Sequence, residues 1–326
     1  MSKQRSILCI ALVMLLALTG CGKTTPAPVA TPQDPTPAKL APLTIGLMPA
    51  INSIPLIVAE HNGYFKQLGL EVKLMHFSSQ NDREAALQTG QIDGTVTDVI
   101  NVVTERDSGF KVKITSATDS RFALLASQKS GITSVTDLKS KAAKSLRTGS
   151  IEGSVITYET DLLLKKNGVD PKVVDLVSIP AIPARLEALR AGQIDAALLP
   201  DPLATLAEKQ GAKLILDTKD VATVPGALVF TENSIAGKKA SLQAFYKAYD
   251  MAVAEVNKNA AAYKDVITEK GQFPPDVKDT LKLPQFGTKY LPDRSEVTNV
   301  ISWMKGRYGL KTELKYEDIV TEEFMK

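Results

Sequence analysis

The sequence predicts an α/β protein of two similar lobes with largely parallel sheets, and three observations carry that reading. The tetrapeptide Gly-Gln-Ile-Asp occurs twice, at Gly90–Asp93 and Gly192–Asp195, and Arg83, Ala86 and Leu87 return as Arg185, Ala188 and Leu189 at the same offset of 102 residues. In both copies a short amphipathic helix closes on glycine, the residue that takes the left-handed position after a helix at least cost. An apolar strand then follows and ends on an acidic residue, as Gly94–Asp98 in the first copy and Ala196–Asp201 in the second. Repetition of one helix–strand unit implies two matching strand tips, and in open α/β sheets ligands lie beyond such tips.

The N-terminus has a different character and is set aside from the fold. Lys3 and Arg5 give a basic start, and Ile7–Leu18 is an apolar run short for a bilayer. Leu18-Thr19-Gly20-Cys21 then resembles a bacterial lipobox, in which residues 1–20 are a lipoprotein signal peptide and Cys21 becomes the lipidated first residue. An ordinary secretory signal or an uncleaved anchor are the other readings of this stretch. Cys9 leaves with the signal, so Cys21 is the last cysteine, and no disulfide, thiol nucleophile or cysteine metal site is expected. Residues 21–42 hold six prolines and almost no large apolar side chain, the composition of an extended tether rather than a core.

Charge excludes one class of partner. Removing Lys3 and Arg5 from the 39 basic residues leaves 37 against 36 acidic ones, with no basic run, so no nucleic-acid footprint is present. The 284 residues from Leu43 onward suit two lobes better than one core.

The elements follow in order. Leu43–Met48 reads as a buried strand, Pro49–Pro55 as a loop, Leu56–Leu68 as a helix and Leu70–Phe77 as a strand. Asp82–Thr89 is helical, the strand to Asp98 follows, Val99–Ser108 is helix and Lys111–Ala117 strand. Leu138–Ala143 is a polar helical turn, Lys144–Thr148 a strand and Gly149–Ser154 a small polar loop. Then come a helix over Val155–Asn167, a strand over Val173–Ile179, the second repeat unit, and Lys213–Leu216. Thr223–Phe230 reads as a crossing segment, and the chain from Lys238 on is mainly helical packing for the first lobe. Strand–helix alternation of this kind is the pattern of parallel α/β sheets.

No catalytic constellation stands out. His61 lies on a helix and His76 near a strand end, both with structural readings. There is no Ser-His-Asp order, no metal-ligand spacing and no phosphate loop of the Gly-x-x-x-x-Gly-Lys kind. The expectation is a protein that is not an enzyme and carries no cofactor and no metal.

Pro55-Leu-Ile-Val-Ala-Glu-His-Asn-Gly-Tyr-Phe65 followed by Gly69-Leu-Glu-Val72 resembles the opening of the solute-binding proteins of nitrate, sulfonate, taurine and thiamine-precursor ABC transporters. The repeat, the Gly149–Ser154 loop and the ending Trp303…Tyr316-Glu-Asp-Ile-Val320 fit the same family. The resemblance spans about residues 43–324 and implies the type II periplasmic-binding-protein fold, two α/β lobes joined by two crossing segments with the ligand cleft between them. It places lobe 1 at 43–125 plus 228–326, lobe 2 at 126–227, and the hinge near Phe122–Ala126 and Thr223–Phe230. A lipid-anchored receptor on the bacterial cell membrane follows, facing the outside or the periplasm. It is expected to act as a monomer and to hand a small-molecule ligand to ABC permease and ATPase subunits. A sensor or assembly subunit is the alternative. An enzyme of thiamine-pyrimidine or menaquinone synthesis is a further one, although the pyrimidine synthases carry a cysteine-rich motif that this chain lacks.

A binding cleft needs converging polar groups on apolar walls. From lobe 1 the candidates are Asn52 and Ser53 at a helix start, Ser79 after a strand, Thr97 and Asp98 at the third strand tip, and Asp119 after the fourth. From lobe 2 they are Asp201, the counterpart of Asp98, and the polar loop residues Ser150, Glu152, Gly153 and Ser154, which the family resemblance assigns to ligand polar groups. Helix capping is open to most of them as a second role, and a salt bridge to Arg121 is open to Asp119. Asp98, Asp119, Glu152 and Asp201 pointing inward together would favour an amine-bearing or heteroaromatic ligand over an anion. Arg83, Arg121 or Arg147 reaching the cleft would reverse that preference, so the ligand class stays open between sulfonate, taurine, nitrate and thiamine-pyrimidine types.

Overall fold

The computed structural model describes residues 39–141, 145–220 and 226–325. The signal segment, Cys21 and most of the tether lie outside the described residues, as do the end of the Leu138–Ala143 turn and the start of the Thr223–Phe230 segment. Ten strands are present among the described residues: β1 (Leu43–Leu47), β2 (Val72–His76), β3 (Gly94–Asp98), β4 (Val112–Thr118), β5 (Phe122–Ala126), β6 (Leu146–Ser150), β7 (Val174–Ser178), β8 (Ala196–Pro200), β9 (Lys213–Asp217) and β10 (Gly226–Thr231). They form two five-stranded sheets in the orders β2-β1-β3-β10-β4 and β7-β6-β8-β5-β9.

The two sheets share one plan. In each, three parallel strands sit beside a fourth that runs antiparallel to both of its neighbours, β10 in the first sheet and β5 in the second. The expectation of largely parallel sheets is therefore corrected to mixed sheets, and the reason is topological. β5 and β10 are the strands that enter a lobe from the other one. Each comes in at the strand tips, with Phe122 opposite Pro200 and Gly226 opposite Asp98, and so runs against the strands that end there. Phe122–Ala126, expected as hinge, is a central strand, and the position proposed for the lobe boundary after residue 125 falls inside it. The helix expected over Leu56–Leu68 is two helices, Ile54–His61 and Tyr64–Gln67, parted at Gly63 with φ +72°.

The repeat has a structural meaning that runs to single atoms. Gly90 and Gly192 take φ of +74° and +69° and turn the chain out of each helix. The aspartate three residues further on then clamps the first parallel strand of its own lobe. Asp93 donates its backbone N–H to Thr44 O and accepts Thr44 N–H on its carboxylate at 2.9 Å; Asp195 does the same with Arg147, at 3.0 Å. Each first strand carries a glycine, Gly46 or Gly149, beneath the repeat. A Cβ at Gly46 would lie 2.7 Å from Ile92, and one at Gly149 would lie 2.7 Å from Ile194 and 2.9 Å from Arg185. These are approaches that only glycine allows.

Both β3 and β8 are buried along their whole length, as strands covered on two faces must be. Helices supply the cover. Lys239–Lys258 buries Leu242, Phe245, Tyr246, Tyr249, Val253 and Val256 on one stripe and packs on Ile54–His61. Arg294–Tyr308 packs on Val99–Asp107 beside the first sheet.

Candidate functional site

A cavity of about 70 Å³ lies between the tips of the two sheets. On the same measure a single water needs roughly 10–15 Å³, so the space suits a small solute. Met48, Val96, Phe122, Ile156, Pro180 and Ile182 make apolar walls, and Asn52, Gln80, Arg83, Thr97, Asp98, Ser120 and Arg185 present polar groups. Each lobe brings one buried arginine from its copy of the repeat.

Arg83 and Arg185 occupy equivalent positions and make one equivalent bond. Arg83 Nη1 donates to Val96 O at 3.0 Å, and Arg185 Nη1 donates to Leu198 O at 3.4 Å, 102 residues on. Their remaining partners differ. Arg83 donates to Glu84 Oε1 at 2.5 Å and to Thr97 Oγ1 at 2.7 Å. Arg185 donates only to carbonyls among the described residues, with Nη2 and Nε reaching Ile179 O at 3.0 and 3.2 Å. At 1% exposure Arg185 is the largest fully buried side chain described. Burial alone pulls its guanidinium down to about 10, which leaves it charged at neutral pH.

Asp98 caps the Val99–Asp107 helix, accepting Asn101 N–H on Oδ1 at 3.0 Å and Asn101 Nδ2 on Oδ2 at 2.9 Å. Burial pushes its carboxyl up to about 6, against the opposing pull of the Asn101 N–H and the Arg83 charge.

Of the residues singled out in the sequence, Asn52, Thr97 and Asp98 line this cavity. Ser53 is buried and donates to Met48 O at 2.9 Å; Ser79 caps the Gln80–Gln88 helix. Ser150 bonds Thr157, and Ser154 donates to Ile151 O at 2.6 Å without capping the helix that follows. Glu152 pairs with Arg307 and Tyr308, and the Gly153 N–H donates to the Tyr308 hydroxyl at 3.1 Å. Asp119 accepts Gly287 N–H at 2.7 Å. Asp201 accepts Arg121 at 2.6 Å and Thr205 N–H at 3.1 Å. Asp119 and Asp201 line a separate, open groove together with Arg121. The convergence of four carboxylates on the ligand is thus not realised, because three of them are engaged elsewhere. Gln80, Ser120 and Arg185 line the cavity and stood outside the expected set. The repeat carried the signal for Arg185, as the partner of Arg83 at the fixed offset.

Direct contacts close the cleft around its rim. Ser79 and Ala181, also 102 residues apart, form an antiparallel bridge between the lobes, and Ile51 N–H donates to Asp201 O at 2.9 Å. On another side Asp161 Oδ2 accepts Trp303 Nε1 at 3.1 Å and Arg307 Nη1 at 2.7 Å, and Tyr158 meets the Trp303 ring edge-on at 5.1 Å.

The chain shares this fold with solved binding proteins. A ligand-binding component of an ABC-type import system from Staphylococcus aureus, solved with zinc bound, is 18% identical with a TM-score of 0.75, covering 87% of this chain and 98% of that one. The periplasmic aliphatic sulphonate-binding protein of Escherichia coli is 17% identical with a TM-score of 0.70, covering 86% and 92%. The periplasmic nitrate-binding protein of Synechocystis is 14% identical with a TM-score of 0.72, covering 88% of each chain. A desulfurization enzyme also carries the fold, at 14% identity and a TM-score of 0.62, covering 87% and 97%. No curated protein matches the chain. Residues 50–262 match the family model described as NMT1/THI5 like, and with two mixed sheets facing each other across a cleft the chain belongs to that family and has the two-lobed fold of type II periplasmic binding proteins.

Proposed function

We propose that this protein is the solute-binding component of an ABC importer and that its cleft takes a small anion of the sulfonate or nitrate kind. The observation that carries the reading is Arg185, a buried guanidinium facing the cavity with carbonyl partners and no carboxylate among the described residues. A charge held in that way is costly until an anion meets it. Its repeat partner Arg83 faces the same space from the other lobe. The engagement of Asp119, Glu152 and Asp201 elsewhere removes the main electrostatic argument for a cationic ligand. Structural similarity to a sulphonate-binding and a nitrate-binding protein supports the same class. The lobes are bounded by the crossovers at residues 119–121 and before Gly226, and closure on the anion presents the closed form to a permease with its ATPase. Cys21 is lipidated and holds the receptor at the membrane.

The test is thermal unfolding with a panel of alkanesulfonates, taurine, nitrate, aminopyrimidines and riboflavin. Binding to the native state raises the melting temperature by mass action. Monoanions are expected to stabilise the wild type, and Arg185→Met is expected to remove that effect while leaving the unliganded melting temperature equal or higher. Stabilisation by aminopyrimidines or riboflavin alone would overturn the anion reading.

A further inference from the structure

We propose that Glu84 restricts the cleft to solutes carrying a single negative charge. This rests on the anion reading above and adds a selection rule to it. The internal repeat provides the comparison. Arg83 and Arg185 hold the same position in their lobes, both are buried, and both face the cavity. The next residue differs: Glu84 in the first copy, Leu186 in the second. Glu84 Oε1 accepts both Nη2 and Nε of Arg83, at 2.5 and 3.2 Å, and its side chain is only 14% exposed, so water screens the pair weakly. Leu186 is buried and apolar and leaves Arg185 its full charge. Glu84 stands behind Arg83, and the carboxylate that lines the cavity itself is Asp98, also on the first lobe; the residue at the same offset in the second is Pro200, and the tip acid after it, Asp201, is held by Arg121.

The two jaws therefore share a backbone plan and differ in charge. The second presents an uncompensated cation. The first presents a cation already satisfied by Glu84, with Asp98 beside it. One negative group on a solute is met by Arg185. A second would have to displace Glu84 from Arg83 or lie against Asp98, with Glu84 just behind Arg83. Reaching across a guanidinium to neutralise it, Glu84 does for the first jaw what a dianion's second charge would do.

Methanesulfonate and sulfate test this, because they are close in size and differ by one charge. Their affinities are measured by titration calorimetry on the full chain purified in detergent, for wild type, Glu84→Leu and Glu84→Gln. The wild type is expected to prefer methanesulfonate. Both variants are expected to move the ratio of affinities toward sulfate by about tenfold. A folded variant that leaves the ratio at the wild-type value overturns the proposal, and Glu84→Gln decides it if Glu84→Leu fails to fold. Wild-type protein that binds neither of these ions nor any anion of the panel overturns the anion reading, and the selection rule with it. Wild-type binding of methanesulfonate with an unmoved ratio overturns the selection rule alone.

Discussion

Asp98 is at once a helix cap and a wall of the cavity, and the two roles set its chemistry. Its carboxyl is buried, which raises it to about 6 against the pull of the Asn101 and Ile100 N–H groups and the nearby Arg83, with Glu84 working against ionisation. A bound anion adds a further negative charge close by and raises the carboxyl again. The sign follows from linkage: a ligand that raises a group's proton affinity is itself bound more tightly when that group is protonated. Anion affinity is therefore expected to increase as pH falls from about 8 to about 6, by up to roughly tenfold per unit, and to level off below the free carboxyl's value. The unliganded fold gains stability over a lower window, from about 6 down toward the ordinary carboxylate range, because the native state holds this proton more tightly than the unfolded chain does. Calorimetry in buffers of different ionisation heat measures the proton taken up on binding. Zero uptake near pH 7, or an unchanged pH profile in Asp98→Asn, would remove Asp98 from this role.

Among the elements, the helix Arg294–Tyr308 does more than cover the first sheet. Its last turns reach the other lobe, Trp303 and Arg307 at Asp161 of the Val155–Lys166 helix and Tyr308 at Gly153 in the loop before it. A contact that exists only in the closed arrangement biases the open–closed balance, and apparent affinity falls in proportion to the competent fraction. A charge-assisted bond of the Arg307–Asp161 kind is worth about 1.5–3 kcal/mol. Arg307→Ala is accordingly expected to weaken solute binding about tenfold and to enlarge the unliganded radius of gyration in solution scattering, with little loss of melting temperature. Unchanged affinity and radius would show that the contact is incidental to closure.

The same elements show why some of this was legible in the sequence and some was not. The repeat units could be read because their information is local: a glycine at the helix end, an aspartate three residues on, an apolar strand. The strand Phe122–Ala126 was hidden because a strand buried on both faces has no alternation to reveal it. The acidic residues were visible as polar groups at turns, but their partners lie far along the chain. Asp119 bonds Gly287 across 168 residues, Asp201 meets Arg121 across 80, and Glu152 meets Tyr308 across 156. Charge at a cleft depends on such pairings, so the sequence leaves the ligand class open until Arg83 and Arg185 are placed at the cavity.

For the whole molecule, the proposed function requires a means of staying near a permease in the membrane. No helix among the described residues is long and apolar enough to cross a membrane. Under the function proposed above, the lipobox-like Leu18–Cys21 and the proline-rich run after it would supply a different means, a lipid on Cys21 and a spacer of 21 residues from Gly22 to Pro42. A polyproline-like chain rises about 3 Å per residue, so 21 residues of that composition would span at most roughly 60 Å. The spacer ends at β1, whose neighbours are β2 and β3, and β1 itself does not line the cavity. Anchoring and binding should therefore separate cleanly. In cells fed labelled palmitate, the wild type is expected to take up label and to sediment with membranes. Cys21→Ser is expected to lose both label and sedimentation while binding solute with wild-type affinity, and solute import at low external concentration should fall because the receptor is no longer held beside the permease. A Cys21→Ser protein that still sediments with membranes would mean that the apolar Ile7–Leu18 run is retained as the anchor, and the lipid would have no part in holding the receptor in place.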